Sequence, residues 1–186
     1  MLCCLEEELK SIEIILGSSS PRRKELLQNT QDRVVIGADT LVCFEGCVFG
    51  KPSSQSNAID ILNRFVSHVK LINSSSLSGN IHQVITGVCL IWTVAGKQHK
   101  VDLFHEVTNV KMASLDCRTI EAYVQSGEPM DKAGAYGIQG LGSSLIEKID
   151  GDYFNVVGLP VYRLCQYLRA GCKDINSLTH KDAEYS

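Results

Sequence analysis

Residues 126–140 read Ser-Gly-Glu-Pro-Met-Asp-Lys-Ala-Gly-Ala-Tyr-Gly-Ile-Gln-Gly, where charge, glycine and aromatic side chains alternate with neither a helical nor a strand period. Such a mixture is the composition of a binding loop. Glu128, Asp131 and Lys132 bring both charge signs into it, and Gly134, Gly137 and Gly140 would let backbone approach a ligand closely. The amide of Gln139 carries one donor and one acceptor face, which is what reading the edge of a nucleobase requires.

Two shorter stretches have matching chemistry. Gly17-Ser-Ser-Ser-Pro-Arg-Arg23 follows an apolar run and can open a helix, with Ser20 as cap and Pro21 at its first position. The free N–H groups of such a turn suit a phosphate, and Arg22 and Arg23 could add bidentate donors; the plainer reading is a capped surface helix with two solvated arginines. Asp39, in Gly37-Ala-Asp-Thr40, is expected just past the apolar strand Val34-Val-Ile36, where a carboxylate can hold a divalent cation or take a proton from water. Standing alone, it would equally be an Asx-turn residue. Lys51, in Gly50-Lys-Pro52, is by itself an ordinary turn lysine.

The elements that must position these groups follow from periodicity. Ile12 to Leu16 reads as a buried strand, and Leu41 to Phe44 continues after Asp39 and Thr40 to a turn at Glu45-Gly46. Ala58, Ile61, Leu62 and Phe65 give an amphipathic helix over 57–66. Val84 to Val94 and Gln98 to Val110 form a hairpin about Ala95-Gly96-Lys97. Ser114 is the expected cap of a helix over 117–125 that Gly127 ends, and Val161, Leu164, Cys165 and Leu168 mark a last helix before Gly171. A frayed polar tail is expected beyond it. The order implies an α/β fold, a mixed twisted central sheet flanked by helices, in one domain over 12–171 with a tail over 172–186.

Composition sets bounds on function. With 186 residues, 44% of them hydrophobic and 21% charged, the chain can bury a single core. A net charge of −3 gives no electrostatic reason to expect a nucleic-acid polymer as partner. The eight cysteines show no paired spacing and are expected as free thiols in a reducing, cytoplasmic setting. No run of apolar residues is long enough for a membrane span, and Leu2 stands where myristoylation needs glycine. The histidines are scattered, and no Walker A, H-E-x-x-H or G-x-S-x-G arrangement occurs. A homodimer is left open.

Five ordered blocks then resemble the Maf family of nucleoside triphosphate pyrophosphatases, whose fold is similar to inosine triphosphatase: Ser18 to Leu27, Val35 to Thr40, Gly50 to Pro52, His82 to Val88, and nearly everything from Ser126 to Pro160. Ala135 to Gly142 together with Gly151 to Pro160 is similar to the branch that prefers dTTP and UTP. The resemblance implies hydrolysis of the triphosphate to monophosphate and pyrophosphate, with Asp39 as proton acceptor for the attacking water. It implies Arg22, Thr40 and Gln139 at substrate-selecting positions, Ser18, Arg23 and Lys51 on the phosphate side, and a divalent metal, magnesium or manganese, at Asp39. Two departures accompany it. Between Arg23 and Asp39 the family carries several tens more residues, including an acid and a lysine of the usual site, and Val66 to Ser76 is extra here. These departures define the alternative reading, a catalytically impaired splice-type variant that at most binds nucleotide or a partner.

Overall fold

A computed structural model describes residues 12–17, 33–66 and 79–183. Six strands form a mixed sheet: β1 (Glu13–Gly17), β2 (Arg33–Phe44), β3 (Cys47–Phe49), β4 (Ile81–Val94), β5 (Lys97–Met112) and β6 (Ile146–Asp150). They are ordered β1-β2-β4-β5-β6, with β3 paired to β2. The helices are α1 (Gln55–Val66), α2 (Cys117–Gln125), α3 (Tyr153–Val157) and α4 (Val161–Ala183), and short 3-10 turns cover Glu128–Asp131, Ala133–Ala135 and Gly140–Leu145. Among the described residues no helix is long and apolar enough to cross a membrane.

The expected α/β class holds, and the chain builds two compact units, each with its own hydrophobic cluster. The first takes residues 1–39, 87–105 and 159–186. Here β1 and β2 run parallel, in register from Glu13 with Arg33 to Gly17 with Gly37. Val34, Ile36, Val88, Leu90, Trp92 and Phe104 pack with Leu164, Leu168, Cys172 and Ile175 of α4. The Trp92 indole N–H donates to Asp102 Oδ2 at 2.9 Å, so the buried ring leaves no unmet donor.

That packing overturns the expected helix end. Gly171 does not stop α4, which continues to Ala183. A Cβ at position 171 would overlap the Trp92 ring, so this glycine admits close approach of helix to indole, and Cys172 and Ile175 are buried beyond it. Gly171→Ala should therefore destabilise despite alanine's better helix propensity, by on the order of 2 kcal/mol of overpacking. A melting temperature equal to or above wild type, with unchanged Trp92 fluorescence, would contradict it.

The second unit takes residues 40–86 and 106–158. Leu62 and Phe65 of α1, Val84 of β4, Met112 of β5, Ile120, Tyr123 and Val124 of α2, and Leu145 make its core. Phe44, Val42 and Cys43 of β2 pair antiparallel with Cys47, Phe49 and Val48 of β3 across Glu45-Gly46. Glu45 (φ 49°) and Gly46 (φ 75°) both sit in the left-handed region, the geometry that matches strand twist in a two-residue hairpin. Ala95 (φ 48°) and Gly96 (φ 75°) repeat it between β4 and β5, where a turn was expected. The cap of α2 is not Ser114 but Asp116, whose carboxylate accepts from Thr119 N at 2.8 Å. An oxygen two residues closer reaches the open N–H groups of the first turn.

His82 is 1% exposed in this core, stacked on Phe65 with ring centroids 4.5 Å apart. Its Nε2 lies 2.7 Å from the Tyr136 hydroxyl, and Nδ1 has no partner. Burial lowers its pKa from 6.5 to about 4. The folded state thus requires the neutral ring. Its contribution to stability is complete above pH 6.5 and is lost as the pH falls from there toward about 4, a change of about 3 kcal/mol. Between pH 6.5 and 5, wild type should lose melting temperature faster than His82→Gln. Parallel curves would remove His82 as the titrating group.

Candidate functional site

β2 carries Asp39 and Thr40 at its middle rather than beyond its end. The sequence places Gly37 and Ala38 where a turn is plausible, but pairing with β1 up to Gly37 and with β3 from Val42 holds the intervening residues extended. Asp39, the last residue of the first unit, is exposed. Thr40, the first of the second, is half-buried. Ser18, Arg22 and Arg23 lie outside the described residues, as do the helix expected after Pro21 and all but the first residue of the extra stretch after Phe65.

Within the second unit, Thr40 Oγ1 lies 2.9 Å from Thr86 Oγ1, and the Thr86 hydroxyl donates to the Asn155 carbonyl at 3.1 Å. Asn155 is fully buried. Its Nδ2 donates to Val84 O and to Thr108 Oγ1, each at 3.0 Å. Thr108 Oγ1 in turn donates to Asp152 O at 3.0 Å and accepts from Asp152 N at 3.1 Å. This network pins α3 and the Gly151–Gly158 bend to β4 and β5. A Cβ on Gly158 (φ 123°) would come within 3.6 Å of Thr40 Oγ1, so the end of α3 abuts the threonine.

The charged loop turns out to spend most of its charge on itself. Glu128 Oε2 accepts from Leu141 N at 2.9 Å, and its Oε1 accepts from Gly142 N at 2.9 Å and from the Tyr123 hydroxyl at 3.1 Å. The same tyrosine oxygen accepts from Gly137 N at 3.1 Å. Glu128 therefore caps the 3-10 turn Gly140–Leu145 from outside its own segment, and Gln139, exposed at the head of that turn, is set by it. Burial works to raise the Glu128 carboxyl, yet the N–H donors of Gly142 and Leu141, the Tyr123 hydroxyl and the Lys132 charge together hold it below the usual carboxylate range. The hydrogen bond and charge of Lys132, with a smaller pull from Lys51, lower Asp131 likewise.

The glycines also differ from expectation. They make room for the protein's own side chains: a Cβ on Gly134 would stand 2.7 Å from Val42 Cγ2, one on Gly140 2.7 Å from Glu128 Oε2, and one on Gly137 3.3 Å from Lys132 Cε. Lys51 is exposed next to Gly50, whose carbonyl accepts from Gly134 N at 3.0 Å, so the lysine turn is tied to the long loop. The structure thus relates Lys51 to Asp131 and Lys132, and sets Thr40 in a separate hydroxyl–amide network. Sequence reasoning missed Thr86, Thr108 and Asn155. The signal was there: threonines at inward positions of strands where only apolar residues are needed have a polar task.

Among the described residues no three His, Cys, Asp or Glu side chains gather into a metal cage. Hard cations at nucleotide sites take one or two carboxylates and complete their shell with phosphate oxygens and water, and Asp39 offers a donor of that kind. Among the described residues, Cys43, Cys47, Cys89, Cys117 and Cys165 carry free thiols.

Glu128→Ala should release the amides of Leu141 and Gly142. The loss is that of a helix cap, about 1 kcal/mol, with faster amide exchange confined to residues near Gln139. Unchanged exchange at both amides would show that the carboxylate does not hold the turn.

A family model described as Maf-like protein matches residues 28–171. The dTTP/UTP pyrophosphatase of Clostridioides difficile is 39% identical over 198 aligned positions, covering 85% of this chain and 94% of that protein. That alignment is longer than the 186-residue chain, so it opens gaps on this side. The dTTP/UTP pyrophosphatase of Clostridium novyi is 43% identical over 152 positions (82% of this chain, 70% of that one), and that of Aquifex aeolicus 38% over 168 (89% and 80%). With the matched residues spanning most of its sequence, including β2, the long loop and α3, this chain belongs to the Maf family.

Proposed function

We propose that the chain is a nucleoside triphosphate pyrophosphatase acting on dTTP and UTP. The single observation that carries the reading is its identity, 38–43%, to relatives bearing that name. Water attacks the α-phosphorus, the bond to the α–β bridging oxygen breaks, and pyrophosphate leaves with the electron pair. Asp39, exposed in mid-strand, takes the proton of the attacking water. Thr40, Gln139 and Arg22 select the nucleoside, and Lys51, Ser18 and Arg23 face the phosphates. A divalent cation, magnesium or manganese, held by Asp39 and the triphosphate oxygens would neutralise charge on the phosphates. A cytoplasmic location belongs to the same reading.

The geometry adds support in two places. Lys51 carries its charge on a turn tied to the long loop, beside Asp131 and Lys132, and Gln139 is exposed at the head of a rigidly capped turn. Preorganised donors of this kind cost no ordering when substrate arrives.

Asp39→Asn, nearly isosteric, should lower pyrophosphate release from dTTP by about a hundredfold or more while leaving the melting curve in place. Turnover at the wild-type rate would remove Asp39 from the chemistry. Gln139→Ala should flatten the preference for thymine and uracil nucleotides over purine ones. An equal loss for all of them would assign Gln139 to general binding instead.

A further inference from the structure

β6 ends the sheet: the strands are ordered β1-β2-β4-β5-β6, and among the described residues no strand pairs with its far side. Such an edge presents a row of backbone N–H and C=O groups to any strand that approaches, and proteins guard it with charge or with a bulge. Both guards are present. The register against β5 slips between Lys111 and Met112, so that Lys148 stands opposite Lys111 and Ile146 opposite Met112, with Glu147 as the extra residue. Lys148 and Asp150, both exposed, share one face of β6, while Ile149 between them packs against the core of the second unit.

The charges on that face are unequally matched. Two lysines directly opposite on neighbouring strands repel, and Glu147 neutralises one of them, its Oε1 lying 2.6 Å from Lys111 Nζ. Lys148 and Asp150 have no ion-pair partner among the described residues. They stand at the wall of an open cleft of about 610 Å³ that Asn109 and Lys111 also line.

A lysine and an aspartate two residues apart on an edge strand are complementary to the same strand reversed. In an antiparallel pair of copies, a two-fold axis through Lys148 sets that lysine against itself, and one through Asp150 does the same with two carboxylates. An axis through Ile149 instead sets Lys148 of each copy opposite Asp150 of the other, with about 4.5–5.5 Å between their Cα atoms. We infer that β6 pairs antiparallel with β6 of a second copy, centred on Ile149, so that one sheet runs through a symmetric dimer held in register by two Lys148–Asp150 ion pairs. The charges that turn other strands away select this one. A five-residue edge buries less than the roughly 1,200 Å² of a standard interface, so the dimer exchanges with monomer and weakens with salt.

Sedimentation velocity of the full chain over a concentration series, at low and at high salt, tests the pairing. Wild type should pass from monomer to dimer as concentration rises, and salt should move the transition upward. Lys148→Glu and Asp150→Lys each set like charges face to face twice; each should raise the dissociation constant by about tenfold or more and leave the melting temperature in place, since both side chains are exposed. An equal mixture of the two variants should regain association, because every lysine then meets a carboxylate, and the double variant Lys148→Glu/Asp150→Lys should do so by itself. Wild type that stays monomeric throughout overturns the inference, as does a dimer that neither single variant weakens, or one that mixing does not restore. Should a variant fail to fold, wild type decides through a carbodiimide, which joins an amine to a carboxylate in contact with it. Applied to mixed isotope-labelled and unlabelled chains, it should give a Lys148–Asp150 cross-link that carries both labels; a cross-link within single chains only, or none, overturns the pairing.

Discussion

A buried amide in a sheet protein must be hydrogen-bonded or it costs the fold several kilocalories, and in this chain that constraint falls on Asn155. Its Nδ2 bridges Val84 on β4 and Thr108 on β5, and its carbonyl receives Thr86 and Gly158. The five-residue helix α3 is too short to hold itself by its own hydrogen bonds, since nucleation is unfavourable and only a turn or so is formed. Asn155 provides what helix length cannot. Its backbone carbonyl accepts from Thr86, which in turn lies 2.9 Å from Thr40, so one residue ties α3 to β4, to β5 and to the Thr40 side of β2.

The long loop solves a related problem with charge. An irregular segment leaves backbone N–H groups without ladder partners, and a carboxylate can take several at once. Glu128 takes two and a tyrosine hydroxyl besides, which explains why its carboxyl is held ionised although burial opposes it. The consequence is a division of labour. Glu128 and Tyr123 stiffen the loop, Asp131 pairs with Lys132 near Lys51, and Gln139 is left at the head of the capped turn.

Much of this was legible in the residues and some was not. The helices over 57–66 and 117–125 show plainly in the sequence because one face alternates with solvent at the helical period, and the observed bounds agree to within two residues. The two hairpin turns are likewise local. What misled was glycine. Gly171 reads as a stop signal, yet it is demanded by the indole of Trp92, far earlier in the chain, and Gly134 and Gly140 read as ligand clearance while they clear Val42 and Glu128. Local sequence says that a glycine is tolerated there, never which partner requires it. Asp39 was expected past a strand end for the same reason: pairing on both sides of it, with β1 and with β3, is a non-local fact. Thr40 and Gln139 stood out by motif, whereas Thr86 and Thr108 are distinguished only by being polar where the period-two pattern of a strand asks for apolar side chains, and Asn155, on the short helix α3, carries no such signal.

The two sides of the Asp39–Thr40 bond belong to different units. Every hydrogen bond named around Asn155 and Glu128 runs between residues of the second unit, from Thr40 to Gly158. Asp39 belongs to the first unit, where β1 and β2 pair. The networks around Asn155 and Glu128 are thus built within one unit, whereas Asp39 belongs to the other.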